Sequence, residues 1–369
     1  MDTLEQKLEE LKEAYSKTKY NKATNKYLGM LRAKMARVKK EMTEKKGRGG
    51  VGFAVKKSGD ATVVLVGFPN AGKSSLLGAM TKVESKVANY AFTTLEVIPG
   101  ILDYNGARIQ ILDVPGLIEG AHEGRGGGAK IGSVIRVSDL IMLVIDINQP
   151  VQVYKILDEL EGLGVIVGRE KPRIRFDPKD SGGIEIEPNR HRIPLRKDII
   201  GIMNELKIYN GALVFYQDAD ITDVYEMMAN EYTYINGIVV LNKIDTVARE
   251  YVEKVMKEIG RITPMKIICV SASEAKNIEA VKEEVFRELK LIRIYLKPKD
   301  GMPDMQAPLI VKHGSTVLDV AKKLHSKTAK DVRHALVSGI SVKFSNQRVG
   351  IDHMLEDGDV LTIVYEKSA

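Results

Sequence analysis

Residues 67–74 of the chain read Gly67-Phe68-Pro69-Asn70-Ala71-Gly72-Lys73-Ser74. It follows the β-branched run Thr62–Val66 directly and precedes the helical pattern Ser75–Met80. A phosphate chain needs several backbone N–H groups converging on it, which glycine permits because it lacks a Cβ, and the following helix adds its positive N-terminal dipole. The sequence therefore predicts a phosphate-binding loop between a strand and a helix.

The side chains of this loop have distinct predicted roles. Lys73 is placed to contact the β- and γ-phosphates of a nucleotide, and the hydroxyl of Ser74 is placed to bind Mg²⁺. The predicted nucleotide-binding residues of this segment are Asn70, Ala71, Gly72, Lys73, Ser74 and Ser75.

A second motif, Asp113-Val114-Pro115-Gly116, ends the predicted strand Ile109–Leu112. Asp113 is predicted to hold Mg²⁺ through a water molecule, and the N–H of Gly116 is predicted to sense the γ-phosphate. The tetrapeptide alone is a common turn. Its place at a strand end downstream of the phosphate-binding loop makes the nucleotide interpretation specific.

A third motif, Asn242-Lys243-Ile244-Asp245, also lies at a strand end. The carboxylate of Asp245 can accept both N–H donors of the guanine edge, whereas adenine would present a lone pair to it, and this argues against an ATPase. Asn242 is predicted to brace the loop and to contact the base, and the stem of Lys243 is predicted to lie along the face of the base. Backbone N–H groups at Ser271 and Ala272, after the next strand, can reach the guanine O6.

Two segments between these motifs have the character of loops that respond to the nucleotide. The hydroxyl of Thr94 is predicted to complete the Mg²⁺ shell while the γ-phosphate is present, and we prefer it to Thr93; the alternative is that both threonines simply begin a strand. The glycine-rich segment 124–130 predicts a mobile switch loop, with a second phosphate cradle as the sharper alternative.

The remaining pattern predicts a doubly wound α/β domain with three additions. Its buried strands are Thr62–Val66, Ile109–Leu112, Leu140–Ile145, Gly237–Leu241 and Lys266–Val270. An inserted α+β subdomain is predicted, with a loop or hairpin over 171–183 and helices over 198–206 and 221–228. A C-terminal β-grasp-like domain is also predicted, with a helix over 317–325 and strands over 308–311, 341–344 and 361–364. The predicted domains are a basic helical hairpin (1–48), the two parts of the α/β domain (49–164 and 236–292), the insert (165–235) and the C-terminal domain (293–369).

Charge and cysteine content indicate partners and compartment. Fourteen Lys or Arg residues and seven Asp or Glu residues lie in residues 1–50, so the net charge of +7 is located there. This excess suits an anionic partner such as RNA, and a solvated helical face is the equal alternative. A single cysteine, a charged N-terminus and the lack of a long apolar run predict a cytoplasmic protein with no membrane contact.

With these motifs the chain resembles the Obg-related GTPases, and specifically the developmentally regulated GTP-binding protein branch. Further matches are Lys22-Ala23-Thr24, Leu28-Gly29, residues 56–60 and the segment from Asp113 to Gly128. The resemblance implies a helix-turn-helix-like N-terminal region, an insert similar to a ribosomal-protein domain, a C-terminal TGS domain, and association with ribosomes or RNA in translation. A GTP-regulated scaffold that docks a regulatory protein is the alternative.

The resemblance also implies details of catalysis. Leu117 stands where many small GTPases have the glutamine that orients water, so slow turnover is expected, on the order of 10⁻⁴ to 10⁻² per second. Relatives with such a substitution often bind K⁺ through an asparagine of the phosphate-binding loop, and Asn70 occupies that position. Many members of the branch have serine there instead. Lys73, Thr94 and Gly116 are the predicted catalytic residues, and K⁺ stimulation is expected.

Overall fold

The computed structural model describes residues 3–17, 31, 35, 38, 59–81, 98–114, 128–187, 190–229, 232–298, 301–324 and 332–365. The chain divides into two compact units, one with Met1–Gly52 and Arg169–Tyr234 and the other with Phe53–Gly168 and Ile235–Ala369. No helix in the described ranges has the length and apolar character needed to cross a membrane. The second helix of the predicted N-terminal hairpin lies outside the described residues except for isolated positions.

The larger unit begins with a mixed α/β sheet. Its strands are β1 (Ala61–Val66), β2 (Ile98–Tyr104), β3 (Ala107–Asp113), β4 (Leu140–Asp146), β5 (Val165–Val167), β9 (Thr233–Asn242) and β10 (Lys266–Cys269). Its helices are α2 (Lys73–Met80), α3 (Gly128–Arg136), α4 (Gln152–Gly162), α7 (Arg249–Ile262) and α8 (Ile278–Glu288); α1 (Thr3–Lys17) precedes them in the smaller unit.

Strand order places the nucleotide motifs at one edge of this sheet. The order is β10-β9-β4-β1-β3-β2, with β5 beside β9, and the strands from β10 to β3 run parallel while β2 runs antiparallel to β3. Of the strands that follow β1 in sequence, β3 lies on one side of it and β4 on the other. The carboxyl end of β1 is therefore the topological switch point, where open α/β sheets bind ligands.

Both faces of the sheet are covered, which explains the uninterrupted apolar strands. Helices α2 and α8 pack with one face of β1 and β4, and α3, α4 and α7 pack on the other. All six residues of β1 are buried, and Val63, Val64 and Leu65 have no exposed surface. Each such side chain contributes about 1.5–3 kcal/mol on burial. The predicted doubly wound fold is confirmed.

The C-terminal part of the larger unit is a second sheet around one helix. It comprises β11 (Leu291–Leu296), β12 (Leu309–Lys312), α9 (Val317–Leu324), β13 (Val332–Ser338), β14 (Gln347–Val349) and β15 (Val360–Tyr365), in the strand order β12-β11-β15-β13-β14. The strand predicted over 341–344 is wrong. These residues form a turn in which Lys343 and Phe344 are exposed, because the strands that pair with β13 are β14 and β15.

This sheet packs against the start of the nucleotide-binding sheet through charged and apolar contacts. Lys312 pairs with Asp139 at 2.8 Å, and Lys323 pairs with Asp60 at 3.1 Å. Ile310 joins the apolar cluster below β1. A Cβ at Gly106, in the β2–β3 turn, would lie 2.5 Å from Pro308 Cγ, so the turn and the C-terminal domain are in close contact.

The smaller unit contains the inserted α+β segment. Three strands, β6 (Ile174–Pro178), β7 (Ile184–Ile186) and β8 (Gly211–Phe215), form a sheet in the order β6-β8-β7, and two helices, α5 (Arg196–Glu205) and α6 (Ile221–Ala229), share its apolar cluster. The segment predicted as a loop or hairpin over 171–183 contains the strand β6. The predicted boundaries at 165 and 235 remain proposals; β5 pairs with β9 of the larger sheet.

Candidate functional site

The phosphate-binding loop joins β1 to α2, as the sequence predicts. A Cβ at Gly67 would lie 2.4 Å from the carbonyl oxygen of Val144, and a Cβ at Gly72, which has φ +90°, would lie 2.2 Å from Nδ2 of Asn242. Neither position has room for a larger residue without displacing its neighbour. The loop is therefore pressed against the ends of β4 and β9, which sets the path of its backbone.

Lys73 folds back over this loop. Its Nζ donates to the carbonyl oxygens of Gly67 at 3.0 Å and Phe68 at 3.2 Å. Burial lowers the pKa of Lys73, and the negative charge of Asp113 only partly opposes that effect. A poorly hydrated ammonium held by carbonyl groups is well placed to exchange them for phosphate oxygens, which carry full negative charge.

Ser74 and Asp113 form the cation end of the site. The Ser74 hydroxyl donates to Oδ2 of Asp113 at 2.8 Å, across 39 positions of sequence. Asp113 is 5% exposed, and its Oδ1 is buried with no hydrogen-bond partner among the described residues. An unsatisfied buried carboxylate oxygen is costly unless a cation or water completes it. A hydroxyl and a carboxylate side by side also provide the oxygen ligands that Mg²⁺ prefers, so these residues fit this ion.

Asn242 links the phosphate end to the base end. This side chain is 2% exposed; its Nδ2 donates to the carbonyl of Ala71 at 3.0 Å, and its Oδ1 accepts from the N–H of Ala272 at 3.1 Å. A single amide thus ties together the phosphate-binding loop, the end of β9 and the loop after β10. Three predicted motifs that are far apart in sequence meet around one side chain.

The residues predicted to bind guanine lie beside this amide. Lys243 has φ +65°, and Asp245 lies exposed in the 3₁₀ turn Ile244–Thr246. Ser271 is fully buried, and its hydroxyl accepts from the N–H of Glu274 at 3.2 Å, which shapes the loop that carries Ala272. The turn and the loop leave Asp245 free of the core, at the rim of the site.

Some predicted residues cannot be placed. Thr94 and the alternative Thr93 lie in residues 82–97, and Gly116 and Leu117 lie in residues 115–127, outside the described ranges. Asn70 is described: it is exposed in the phosphate-binding loop and has φ +65°. Ser75 is exposed in the first turn of α2.

One polar group beside the site, the carboxylate of Asp146, is not among the residues predicted from the sequence. Asp146, the last residue of β4, accepts a hydrogen bond from Lys243 Nζ at 2.7 Å. The sequence does contain a signal for this position. The carboxyl ends of adjacent parallel strands meet at one edge of a sheet, and β4, which ends at Asp146, lies between β1 and β9. Asp146 belongs to none of the short motifs from which the site was built.

Comparison with known proteins agrees with this geometry. Residues 62–174 match the family model of a 50S ribosome-binding GTPase, residues 181–291 match the C-terminal region of that domain, and residues 292–365 match the TGS domain. These three matches account for most of the chain downstream of the N-terminal region.

Several GTP-binding proteins match this chain over nearly their whole length. An uncharacterized GTP-binding protein of Methanocaldococcus jannaschii is 41% identical over 99% of this chain and 93% of its own length. GTP-binding protein 1 of Schizosaccharomyces pombe is 40% identical over 97% of this chain and 98% of its own. Developmentally-regulated GTP-binding protein 1 of Xenopus laevis is 39% identical over the same two shares.

Proposed function

This chain belongs to the developmentally regulated GTP-binding protein family, and from that premise we propose that it is a Mg²⁺-dependent switch that hydrolyses GTP slowly in the cytoplasm. The observation that carries the proposal is the side chain of Asn242, which joins the loops of three nucleotide motifs through Ala71 and Ala272. This link fixes the distance between the loop proposed for the phosphates and the loops proposed for the purine, so that one nucleotide can contact all of them.

Each described residue has a proposed role in binding. Lys73 neutralises the β- and γ-phosphates, while Ser74 and Asp113 hold Mg²⁺, which offsets phosphate charge when bound. Asp245 accepts the guanine N–H donors and Lys243 lies along the base. The N–H of Ser271 donates to the carbonyl of Lys276 at 3.3 Å and the N–H of Ala272 donates to Asn242 Oδ1 at 3.1 Å. Either group must therefore give up this hydrogen bond to reach the guanine O6 in the role that the sequence predicts.

Two residues outside the described ranges complete the proposal. Thr94 joins the Mg²⁺ shell and the N–H of Gly116 contacts the γ-phosphate, so both residues make these contacts with GTP and lose them with GDP. Their sequence neighbours are β2 and β3, whose connecting turn contacts Pro308 of the C-terminal domain. This contact supports a readout of nucleotide state by the TGS domain, because a shift of either strand end displaces the hairpin that touches it.

We expect K⁺ to stimulate hydrolysis through Asn70. The side chain lies exposed in the phosphate-binding loop, where a monovalent cation beside it would offset charge on the transferring phosphate. Phosphate release at saturating GTP is expected to be about tenfold faster in K⁺ than in Na⁺, because the cation takes over part of the work of an arginine finger. The variant Asn70→Ser should have a ratio close to one.

Phosphate release in paired K⁺ and Na⁺ buffers checks this expectation. Mant-GDP affinity serves as the control and should stay within about twofold, since the base and magnesium contacts are untouched. Equal rates in the two buffers for the unaltered protein would contradict the K⁺ proposal, and absence of any GTP turnover would contradict the hydrolytic function.

The proposed partner is the ribosome or its RNA. The support is the basic excess of residues 1–50 together with the family model, whose description names 50S ribosome binding. We expect co-sedimentation with ribosomes to be stronger with GTP than with GDP and to weaken between about 50 and 200 mM salt, as counterion release requires. Binding that is indifferent to both nucleotide and salt would remove this proposal.

A specific surface favours the second candidate, a scaffold for a protein partner. Ile340, Phe344 and Met354 of the C-terminal domain are large, apolar and exposed, and a contact of 3.1 Å between His353 Nε2 and Ser341 Oγ draws their two segments together. Contiguous exposed apolar patches mark protein contacts, and we propose that these three residues form one. Reversing the charges of Lys34, Arg37 and Lys39 separates the candidates: loss of RNA binding without loss of a protein partner supports the first, and unchanged RNA binding contradicts it.

A further inference from the structure

Asp146 is a largely buried carboxylate that the nucleotide motifs do not include. Its side chain is 13% exposed and accepts three hydrogen bonds: from Lys243 Nζ at 2.7 Å, from the N–H of Asn148 at 2.9 Å and from Asn148 Nδ2 at 3.0 Å. Burial acts to raise the pKa of Asp146, but the hydrogen bonds from Lys243 and Asn148 outweigh it, and the pKa is lowered. The group is therefore a carboxylate at neutral pH.

These contacts are part of a closed ring of hydrogen bonds that links Lys243, Asp146, Asn148 and Thr246. Asn148 Nδ2 also donates to Thr246 Oγ1 at 3.0 Å, and the Thr246 hydroxyl donates to the carbonyl of Lys243 at 2.8 Å. The ring thus holds the residue at two places, its ammonium through Asp146 and its carbonyl through Thr246. The N–H of Ile147 further joins the end of β4 to the carbonyl of Asn242 at 3.0 Å.

Lys243 needs such support for two reasons. Its backbone lies in the left-handed region at φ +65°, which is unfavourable for a residue with a Cβ unless its surroundings hold it there. Its four-carbon stem has many rotamers, and fixing them at the moment of binding would cost affinity. With the ammonium held by Asp146 and the carbonyl held by Thr246, both ends of the residue are fixed before the base binds.

We propose that Asp146 is a positioning residue for guanine, which holds the stem of Lys243 where the base stacks. The inference rests on the proposed GTP-binding function and extends it to a residue outside the recognised motifs. In the chain, Lys243 follows Asn242, which braces the loop, and precedes Asp245, the proposed acceptor of the base, by two positions. The ring organises this face before the nucleotide arrives.

Mant-GDP binding to the full chain tests the proposal. The variant Asp146→Asn keeps the shape of the side chain and removes its charge, so we expect about tenfold weaker binding, mostly through faster dissociation. Asn148→Ala, at an exposed residue, should weaken binding about threefold and provides an independent route to the ring if the first variant does not fold. Asp158→Asn, an exposed carboxylate on α4, is the matched control and should bind as the unaltered protein does.

Two readouts separate positioning from a general structural role. Competition by tripolyphosphate should be unchanged in Asp146→Asn, because the phosphate end does not involve the ring. In a Lys243→Ala background, Asp146→Asn should have no further effect, as a double-mutant cycle requires for residues that act through one another.

The outcomes are distinct. Unchanged mant-GDP affinity in both ring variants, an equal loss of tripolyphosphate and GDP binding, or a full effect of Asp146→Asn without Lys243 would each overturn the positioning role. Failure of the unaltered protein to bind mant-GDP would instead overturn the proposed function, which leaves the two claims separately testable.

Discussion

Replacing Asp245 by asparagine is expected to move the base preference of this protein from guanine to xanthine. The carboxylate accepts from two guanine donors, whereas the asparagine amide presents one donor that suits the additional carbonyl of xanthine. Because a mismatched base leaves polar groups unpaired on both sides, we expect GTP affinity to fall by at least about 100-fold while XTP affinity rises. Asp245 is exposed in its 3₁₀ turn, so the exchange should not disturb folding.

Competition between mant-GDP and unlabelled GTP, XTP and ATP measures this change. Glu250→Gln is a suitable control, since it removes a nearby exposed negative charge in the first turn of α7 without touching the predicted base pocket. Unaltered GTP selectivity in Asp245→Asn would mean that the guanine site has been assigned to the wrong turn.

Replacing Asp113 by asparagine is expected to abolish the contribution of Mg²⁺. The amide can still accept from Ser74, but the negative charge that attracts the cation is gone, and Oδ1 is the buried atom for which the described residues provide no partner. We expect GTP turnover to fall about 100-fold or more, in line with losing a charge that organises the transferring phosphate. The nucleotide-free protein should not lose stability, because an unsatisfied buried charge has been removed.

Phosphate release and thermal unfolding, each with Mg²⁺ and with EDTA, check both parts of this expectation. Asp103→Asn, an exposed carboxylate on the adjacent strand β2, is the matched control and should behave as the unaltered protein. A Mg²⁺-stimulated rate that survives in Asp113→Asn would assign the cation to other residues.

The fold and the main motifs could be predicted because their signals are local. The run Thr62–Val66 is buried throughout and contains β-branched and apolar residues, since both faces of β1 are covered. The glycines that follow it meet Val144 and Asn242 too closely for any side chain. Strand ends then bring the motifs together at the topological switch point. Asn242, which the sequence predicts as the brace of the phosphate-binding loop, donates to the carbonyl of Ala71 in that loop at 3.0 Å.

Other features depend on partners that are distant in sequence. The alternation in 341–344 is typical of a strand, but β15 and β14 already occupy both edges of β13, and these residues are left in a turn with Phe344 exposed. β6 was hidden in an apparent loop because it is short and ends at Pro178. The role of Asp146 depends on Lys243, 97 positions away, and no local pattern specifies that pair.

We propose that four strand-end loops converge on one guanine nucleotide and its cation. Titration of the purified full chain with mant-GDP, in Mg²⁺ and in EDTA, tests this convergence. We expect saturable binding of one nucleotide per chain, displaced by GTP but not by ATP, and tighter with Mg²⁺ than without it. Absence of saturable binding in the presence of Mg²⁺ would contradict the account.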